Sequence, residues 1–226
     1  MKKTTRPSLA REAVHTLIRR KPKQARGQLR VDEILDAAER LTHSMSWHKI
    51  STNHIAKEAG IPIGSLYQFF ANKHAIAQAL VERYIASIQE AFASLPSNIE
   101  SMSPAELVHA IFDNLLLVTQ QHHGLHAMLL ITSKESEIGK IAAPIDDLLR
   151  SNIERMLAVR APWMNAQERK VHALVSQVSS RAVFAESIHL HGQGNQAIAG
   201  QLLEQARLMQ IAYYDRLLQE HEARNS

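Results

Sequence analysis

The sequence predicts an all-α chain, and three observations carry that reading. Apolar residues recur at three- and four-residue intervals along most of the chain, and no alternating apolar-polar run competes with them. Only 8 Gly and 7 Pro occur in 226 residues, which favours long uninterrupted helices over many turns. The breakers that do occur bound the periodic segments, and no internal repeat is found.

Pro7, Pro22 and Gly27 punctuate a polar opening, so residues 1–27 read as a mostly flexible arm with a short helix around Leu9 to Ile18. In "QLRVDEILDAAERLTHS", Val31, Ile34, Leu35, Ala38 and Leu41 share one helical face, and "MSWHKI" links this first helix onward. Ser51 is a fitting N-cap for a second helix from Thr52 to Ala59, stopped by Gly60 at the left-handed position that ends many helices. Pro62, tolerated in a first helical turn, opens a third helix to about Phe69, and Asn72 caps a fourth running through "KHAIAQALVERYIASIQEAFASL". After the Ser- and Pro-rich loop "PSNIESMSP", helices are expected near 104–121, 124–133, 141–159, 165–190 and 197–221. Gly124, Gly139 with Pro144, Pro162 and "HGQGN" separate them.

Composition excludes several function classes. A chain of this length buries a full core and has room for a small domain joined to a larger one. The absence of cysteine removes disulfides, thiolate metal sites and cysteine nucleophiles, and a cytoplasmic location fits. No apolar run reaches the roughly 18 residues of a membrane span. "SLAREAVHTLIRR" shares its Arg-rich, acid-poor character with organellar transit peptides but has no apolar core for secretion. Ser and His abound, yet GxSxG, HExxH and a phosphate loop are all missing, so an enzyme is not expected, and no catalytic residue or cofactor is assigned.

The net charge of +4 conceals an asymmetry. Residues 1–30 carry ten Lys or Arg against Glu12 alone, while the remaining 196 residues are net acidic. A basic arm on a mildly acidic body points that end toward an anionic polymer or surface, unless it is simply a solvated tail.

Two short helices with a glycine turn, "ISTNHIAKEAGIPIGSLYQFFANK", have the build of a helix-turn-helix, in which one helix braces on DNA while the next enters the major groove. Ile55, Ala59, Ile61 and Leu66 suit the crossing core, with Ala56 small enough for close contact. Pro62, Ile63, Gly64, Ser65, Tyr67 and Gln68 remain outward, small, apolar and hydrogen-bonding groups that fit thymine methyls, base edges and phosphates. A plain helical hairpin inside an all-α core is the alternative.

"RVDEILDAAERL" followed by "ISTNHIAKEAGIPIGSLYQFFANKHAI" resembles the DNA-binding domain of the TetR family of bacterial transcriptional regulators over roughly residues 28–85, with Gly60, Gly64, Leu66, Tyr67, Phe70 and Lys73 at the family's spacing. The resemblance implies backbone or base contacts for Thr52 and Asn53, and base contacts for Ile63, Gly64 and Ser65. It implies phosphate contacts for Tyr67 and Lys73, whereas Gln68 and Phe69 stand where the family varies. Ile63 departs from the charged or polar residue common there, so a thymine methyl is its expected partner. The arm precedes the usual family start, and Arg26 and Arg30 are its cations nearest the motif.

The resemblance also implies a C-terminal helical bundle that encloses a ligand cavity and dimerises through its last two helices. The expected organisation is therefore 1–27 arm, 28–75 helix-turn-helix domain and 76–226 helical ligand-binding and dimerisation domain. Val171, Leu174, Val175 and Val178, with Leu202, Leu203, Ala206, Met209, Tyr213 and Leu217, form apolar stripes that serve either a dimer or the core of one subunit. Leu116, Met128, Leu129, Trp163 and Phe184 are cavity candidates beside Leu115, Val118 and Ile131, though the same residues make ordinary core. His122 and His126 lie four apart, as metal ligands on one helix would, but Gly124 between them weakens that helix, and His109, His172 and His189 carry no assigned role.

The expected function is that of a homodimeric, ligand-responsive repressor whose partners are a near-palindromic double-stranded DNA operator and a small-molecule effector, with no membrane partner. An activator or a ligand-free repressor would share the fold, and a basic membrane-surface protein using the N-terminal segment is the rival from another class.

Overall fold

A computed structural model of the chain describes residues 25–122 and 136–225, which form eight α-helices and no strand. The short helix expected around Leu9 to Ile18 and the helix expected at 124–133 lie outside the described residues. Two compact units are found, one within Met1–Glu90 and Val118–Ile145, the other within Ala91–Leu117 and Asp146–Ser226.

In the first unit, helix α1 (Ala25–Ser44) begins three residues before the expected start, so Arg26 and Gly27 belong to its first turn rather than to the arm. A glycine is tolerated there because the first four amides of a helix have no intrahelical partner to lose. Val31, Ile34, Leu35 and Ala38 are fully buried. A 3-10 turn (Trp47–Lys49) follows, and Trp47 and Ile50, which the sequence reading left in a linker, are core residues.

Helix α2 (Thr52–Glu58) is closed at both ends by its own sequence. Ser51 Oγ accepts from the His54 amide at 3.2 Å while the Ser51 amide donates to His54 Nδ1 at 3.3 Å, a capping box with His where Glu or Gln is usual. At the other end the Ile61 amide reaches Ala56 O at 2.9 Å and the Gly60 amide reaches Lys57 O at 3.1 Å, a Schellman pair that needs Gly60 at φ +66°. Space for a Cβ at Gly60 is open, so Gly60→Ala meets no clash, only the left-handed backbone. Urea unfolding is expected to show a loss of about 1 kcal/mol.

Helix α3 (Ile63–Phe69) starts one residue later than expected. Pro62 sits at its N-cap with extended backbone, and its carbonyl accepts from the Ser65 amide at 2.9 Å. Asn72 Oδ1 caps helix α4 (Lys73–Ala93) by accepting from the Ala75 amide at 2.9 Å. Helices of seven residues are marginal alone, so α2 and α3 owe their stability to Ile55, Leu66 and Phe70, all fully buried with Ile34, Leu35, Ile76 and Leu80. Because α4 carries Ile76, Ala77, Leu80, Val81 and Tyr84 in buried positions, the compact unit runs past residue 75 to Glu90. Arg83 anchors it, reaching Asp36 at 2.7 Å and the buried Glu39 at 3.2 Å.

Helix α5 (Pro104–Gln121) opens with Pro104 in the first position and a capping box between Ser103 and Glu106. Helix α6 (Glu137–Arg160) includes both Gly139 and Pro144, which the sequence reading took for separators. Proline inside a helix removes a single backbone bond. The helix continues because Ile145, Asn152 and Leu157 are buried beyond it. Helices α7 (Ala166–Gly192) and α8 (Gln196–Asn225) form an antiparallel hairpin through Gly194 at φ +83°, packed on small residues such as Ala173, Ser176, Ala199 and Ala206.

Candidate nucleic-acid interface and C-terminal cavity

The outward side of α3 carries the residues expected there. Pro62, Ile63, Gly64, Tyr67 and Gln68 are exposed, Ile63 and Tyr67 at 37% and 43%, although both are large apolar or aromatic groups that a closed core would absorb. Ser65 is half-buried on the same helix. Tyr67 Oη and Thr52 Oγ1 lie 3.0 Å apart, so a hydrogen bond ties the first residue of α2 to the middle of α3 and holds the phenol beside the α2 N-terminus. Asn53 is exposed next to it. Backbone amides at a helix start and two hydroxyls form a donor cluster matched to phosphate oxygens, while Ile63 and the bare Gly64 give a surface on which a base pair can lie close.

Lys73 is engaged elsewhere. Its ammonium donates to Trp47 O at 3.1 Å, His48 O at 3.4 Å and Ile50 O at 2.9 Å, and stands 5.7 Å from the centre of the Trp47 ring. All three donors of the ammonium are thereby used. The lysine expected on a phosphate thus ties the 3-10 turn to the start of α4, because the last carbonyls of a helical turn attract a cation. Arg30 pairs with Glu33 at 2.8 Å across one turn, an exposed contact that a phosphate can replace at little cost. Arg26 falls in α1, and its side chain lies outside the described set.

In the second unit, α5, α6, α7 and α8 enclose a cavity of about 80 Å³. Val108, Ile111, Phe112, Ile153 and Leu157 make its wall largely apolar, and Ser176, Ser180, Gln210 and Tyr214 form a polar corner. Burial pushes the Tyr214 phenol up to about 12, so at neutral pH it stays a neutral hydroxyl, 2.6 Å from Ser176 Oγ. Gln210 Nε2 donates to Ser179 Oγ at 2.9 Å and to Ser176 O at 3.4 Å, whereas its Oε1 is buried with no hydrogen-bond partner among the described residues. An unpaired buried acceptor costs about 1–3 kcal/mol. Arg160 also lines the cavity, and its Nη1 donates to the carbonyls of Ile99 at 2.6 Å and of Met102. Burial holds this guanidinium below its usual range.

Residues 34–80 match the family described as bacterial regulatory proteins, tetR family. Over that stretch the chain is similar to the DNA-binding domain of the tetR family. It shares 27% identity over 168 residues, 70% of this chain and 77% of the other, with an uncharacterised helix-turn-helix-type transcriptional regulator of Mycobacterium tuberculosis. Among solved structures, a TetR-family transcriptional regulator from Streptomyces coelicolor superposes with TM-score 0.56 at 21% identity, over 83% of this chain and 98% of its own. SmeT in its complex with triclosan does so with TM-score 0.59 at 20% identity, over 82% and 91%. The matched segment is a helix-turn-helix domain of the kind found in tetR-family regulators, and among the described residues of the chain no helix is long and apolar enough to cross a membrane.

Within this helical fold the remaining expectations divide. Leu116 and Phe184 pack in a core cluster with Val108, Phe112 and Ala206 rather than lining the cavity. Trp163 is exposed and stacked on His221 at 3.7 Å, and Met128 and Leu129 lie outside the described residues. Val171, Leu174, Val175, Val178 and Met209 are 43–51% exposed, the first four as an apolar stripe on one face of α7 and the last on α8. Leu202 and Tyr213 are half-buried, whereas Leu203 and Ala206 pack in the core cluster.

Four of the histidines considered above have local partners, and His126 lies outside the described residues. His122 Nε2 meets Ser87 Oγ at 2.7 Å, His109 meets Arg207 at 3.1 Å, His172 bonds Tyr213 and His189 meets Gln193 at 2.9 Å. Gln210 and Arg160 escaped the sequence reading. A polar residue at 210 on the α8 face shared by Leu203, Ala206, Tyr214 and Leu217 was the signal for the first, and Arg160 gave none.

Proposed function

We propose that the protein is a homodimeric repressor that releases a near-palindromic operator when a small molecule occupies the C-terminal cavity. The observation that carries the reading is the apolar stripe of α7 and α8, an exposed patch that, on this scale, usually marks an interface. A two-half-site operator requires two recognition helices, and a twofold pairing of that stripe supplies one from each subunit. The cavity supports effector binding, and SmeT, which shares the fold, is known in complex with triclosan. By linkage an inducer must bind the arrangement that cannot hold DNA more tightly, and DNA must weaken the inducer equally.

Fluorescence anisotropy on DNA from upstream of the protein's own gene tests the reading. The full chain is expected to prefer that DNA over a scrambled duplex, saturating at two subunits per site. Tyr67→Phe, which removes the hydroxyl held by Thr52, is expected to weaken binding about tenfold while changing unfolding stability by no more than about 1 kcal/mol. Equal affinity for both duplexes would overturn specific regulation.

A further inference from the structure

We propose that the C-terminal cavity and a groove beside it are two halves of one effector site, closed from each other by Met156, and that its occupant is an elongated, mostly apolar molecule that bears no positive charge and carries one N–H or O–H donor. This rests on the effector-binding reading above and names the ligand class of that site.

Size gives the first argument. The cavity measures about 80 Å³. That is well below the roughly 300 Å³ at which ordinary ligand sites begin. A groove of about 260 Å³ runs along α6 under the loop that precedes α5, with Phe92, Leu95, Ile99 and Val159 among its walls. Met156 belongs to the walls of both spaces. An unbranched thioether side chain with three rotatable bonds is the residue best able to swing aside and join them. Arg160 sits one helical turn further on and holds Ile99 O and Met102 O, so the groove's outer wall is latched to the same helix that carries Met156.

Charge gives the second. Among the described lining residues neither space contains a carboxylate, whereas the cavity has Arg160, whose Nη1 is committed to backbone carbonyls, and the groove has Arg155, whose Nη2 donates to Asn152 Oδ1. A cationic group entering the cavity would therefore be buried without a partner, which the apolar walls penalise heavily.

The third is the orientation of Gln210. The Ser176 carbonyl orients the Gln210 amide, because a carbonyl only accepts, and the hydroxyls of Ser179 at 2.9 Å and Ser180 at 3.4 Å lie on the same Nε2 side. Nε2 therefore faces these groups, and Oε1 is the end left without a partner. A ligand donor reaching the polar corner restores the missing bond, whereas a ligand with acceptors alone cannot.

N-phenyl-1-naphthylamine is a suitable probe, being uncharged, larger than a single ring, fluorescent in apolar surroundings and equipped with one N–H, and its N-methyl counterpart lacks only that donor. Titrated into the full chain, the N–H probe is expected to saturate at one per subunit and to bind about tenfold more tightly than the N-methyl compound. Gln210→Met should abolish the difference between the two probes. Met156→Trp, which fills the passage, should weaken both at least tenfold, and Met156→Leu should leave them within about twofold, which separates blockage from misfolding. Equal affinity of the wild type for both probes would overturn the donor, and failure to bind or indifference to Met156→Trp would overturn the joined site. If the probe binds as described but operator affinity is unchanged, the induction reading fails while the site stands.

Discussion

Val175→Asp combined with Val178→Asp is expected to give a folded monomer of 25.4 kDa whose operator affinity is at least about a hundredfold below that of the wild type. Both valines are about half exposed on α7, so neither replacement opens a cavity or removes a core contact. Thermal unfolding followed by circular dichroism should retain the helical signal. Across a twofold axis the same substitutions bring like charges together in a dry interface, where an unpaired carboxylate is strongly unfavourable. Loss of DNA affinity follows because a dimer engages its second half-site intramolecularly, at high effective concentration, and a monomer engages one half-site only. Sedimentation decides the matter. A wild type that is already monomeric at micromolar concentration, or a double variant that remains dimeric, would remove the basis for pairing through α7 and α8.

The helix-turn-helix was legible in the sequence because nearly every position in it is held by a distinct local requirement. Ser51 and Asn72 have oxygens that accept from helix-start amides, Gly60 takes the left-handed turn, and Ile55 and Leu66 fill the crossing. Few other residue types meet those demands in that order. Boundaries inside longer helices were less legible. Pro144 carries a local cost of about 3 kcal/mol against helix, yet the helix continues to bury Ile145, Asn152 and Leu157 beyond it. The apolar stripes of α7 and α8 were visible, but spacing alone did not say which residues face inward, and the structure splits them between Met209 on the surface and Ala206 in the core.

The cavity was least legible. A void is defined by what side chains fail to fill, so Leu116 and Phe184 in packed core read the same as Ile153 and Leu157 on the cavity wall. What marks the site is polar character out of place, a glutamine on an apolar face and serines opposite it. Each is affordable in a core only when paired, and Gln210 is paired at one end alone.

Lys73→Met is expected to destabilise the N-terminal unit by about 1.5–3 kcal/mol in urea unfolding and to leave the salt dependence of operator binding unchanged. The family resemblance puts this lysine on a phosphate, and the structure puts it on three carbonyls. The two roles separate cleanly by measurement. A lysine that neutralises a phosphate releases counterions, so its removal lowers the slope of log affinity against log salt by about 1 and costs little in the free protein. A lysine that gathers Trp47 O, His48 O and Ile50 O costs stability in the free protein. Its loss weakens DNA binding only through the misplacement of what it holds, equally at all salt concentrations. That turn leads directly into Ser51 and the capped start of α2, so Lys73 acts on DNA at one remove, by fixing where Thr52 and Tyr67 stand. Met keeps the unbranched stem and its packing on Trp47, so the measured loss belongs to the ammonium. A shallower salt slope with unchanged unfolding would show that the ammonium leaves its carbonyls for DNA, and would return Lys73 to the phosphate-binding set.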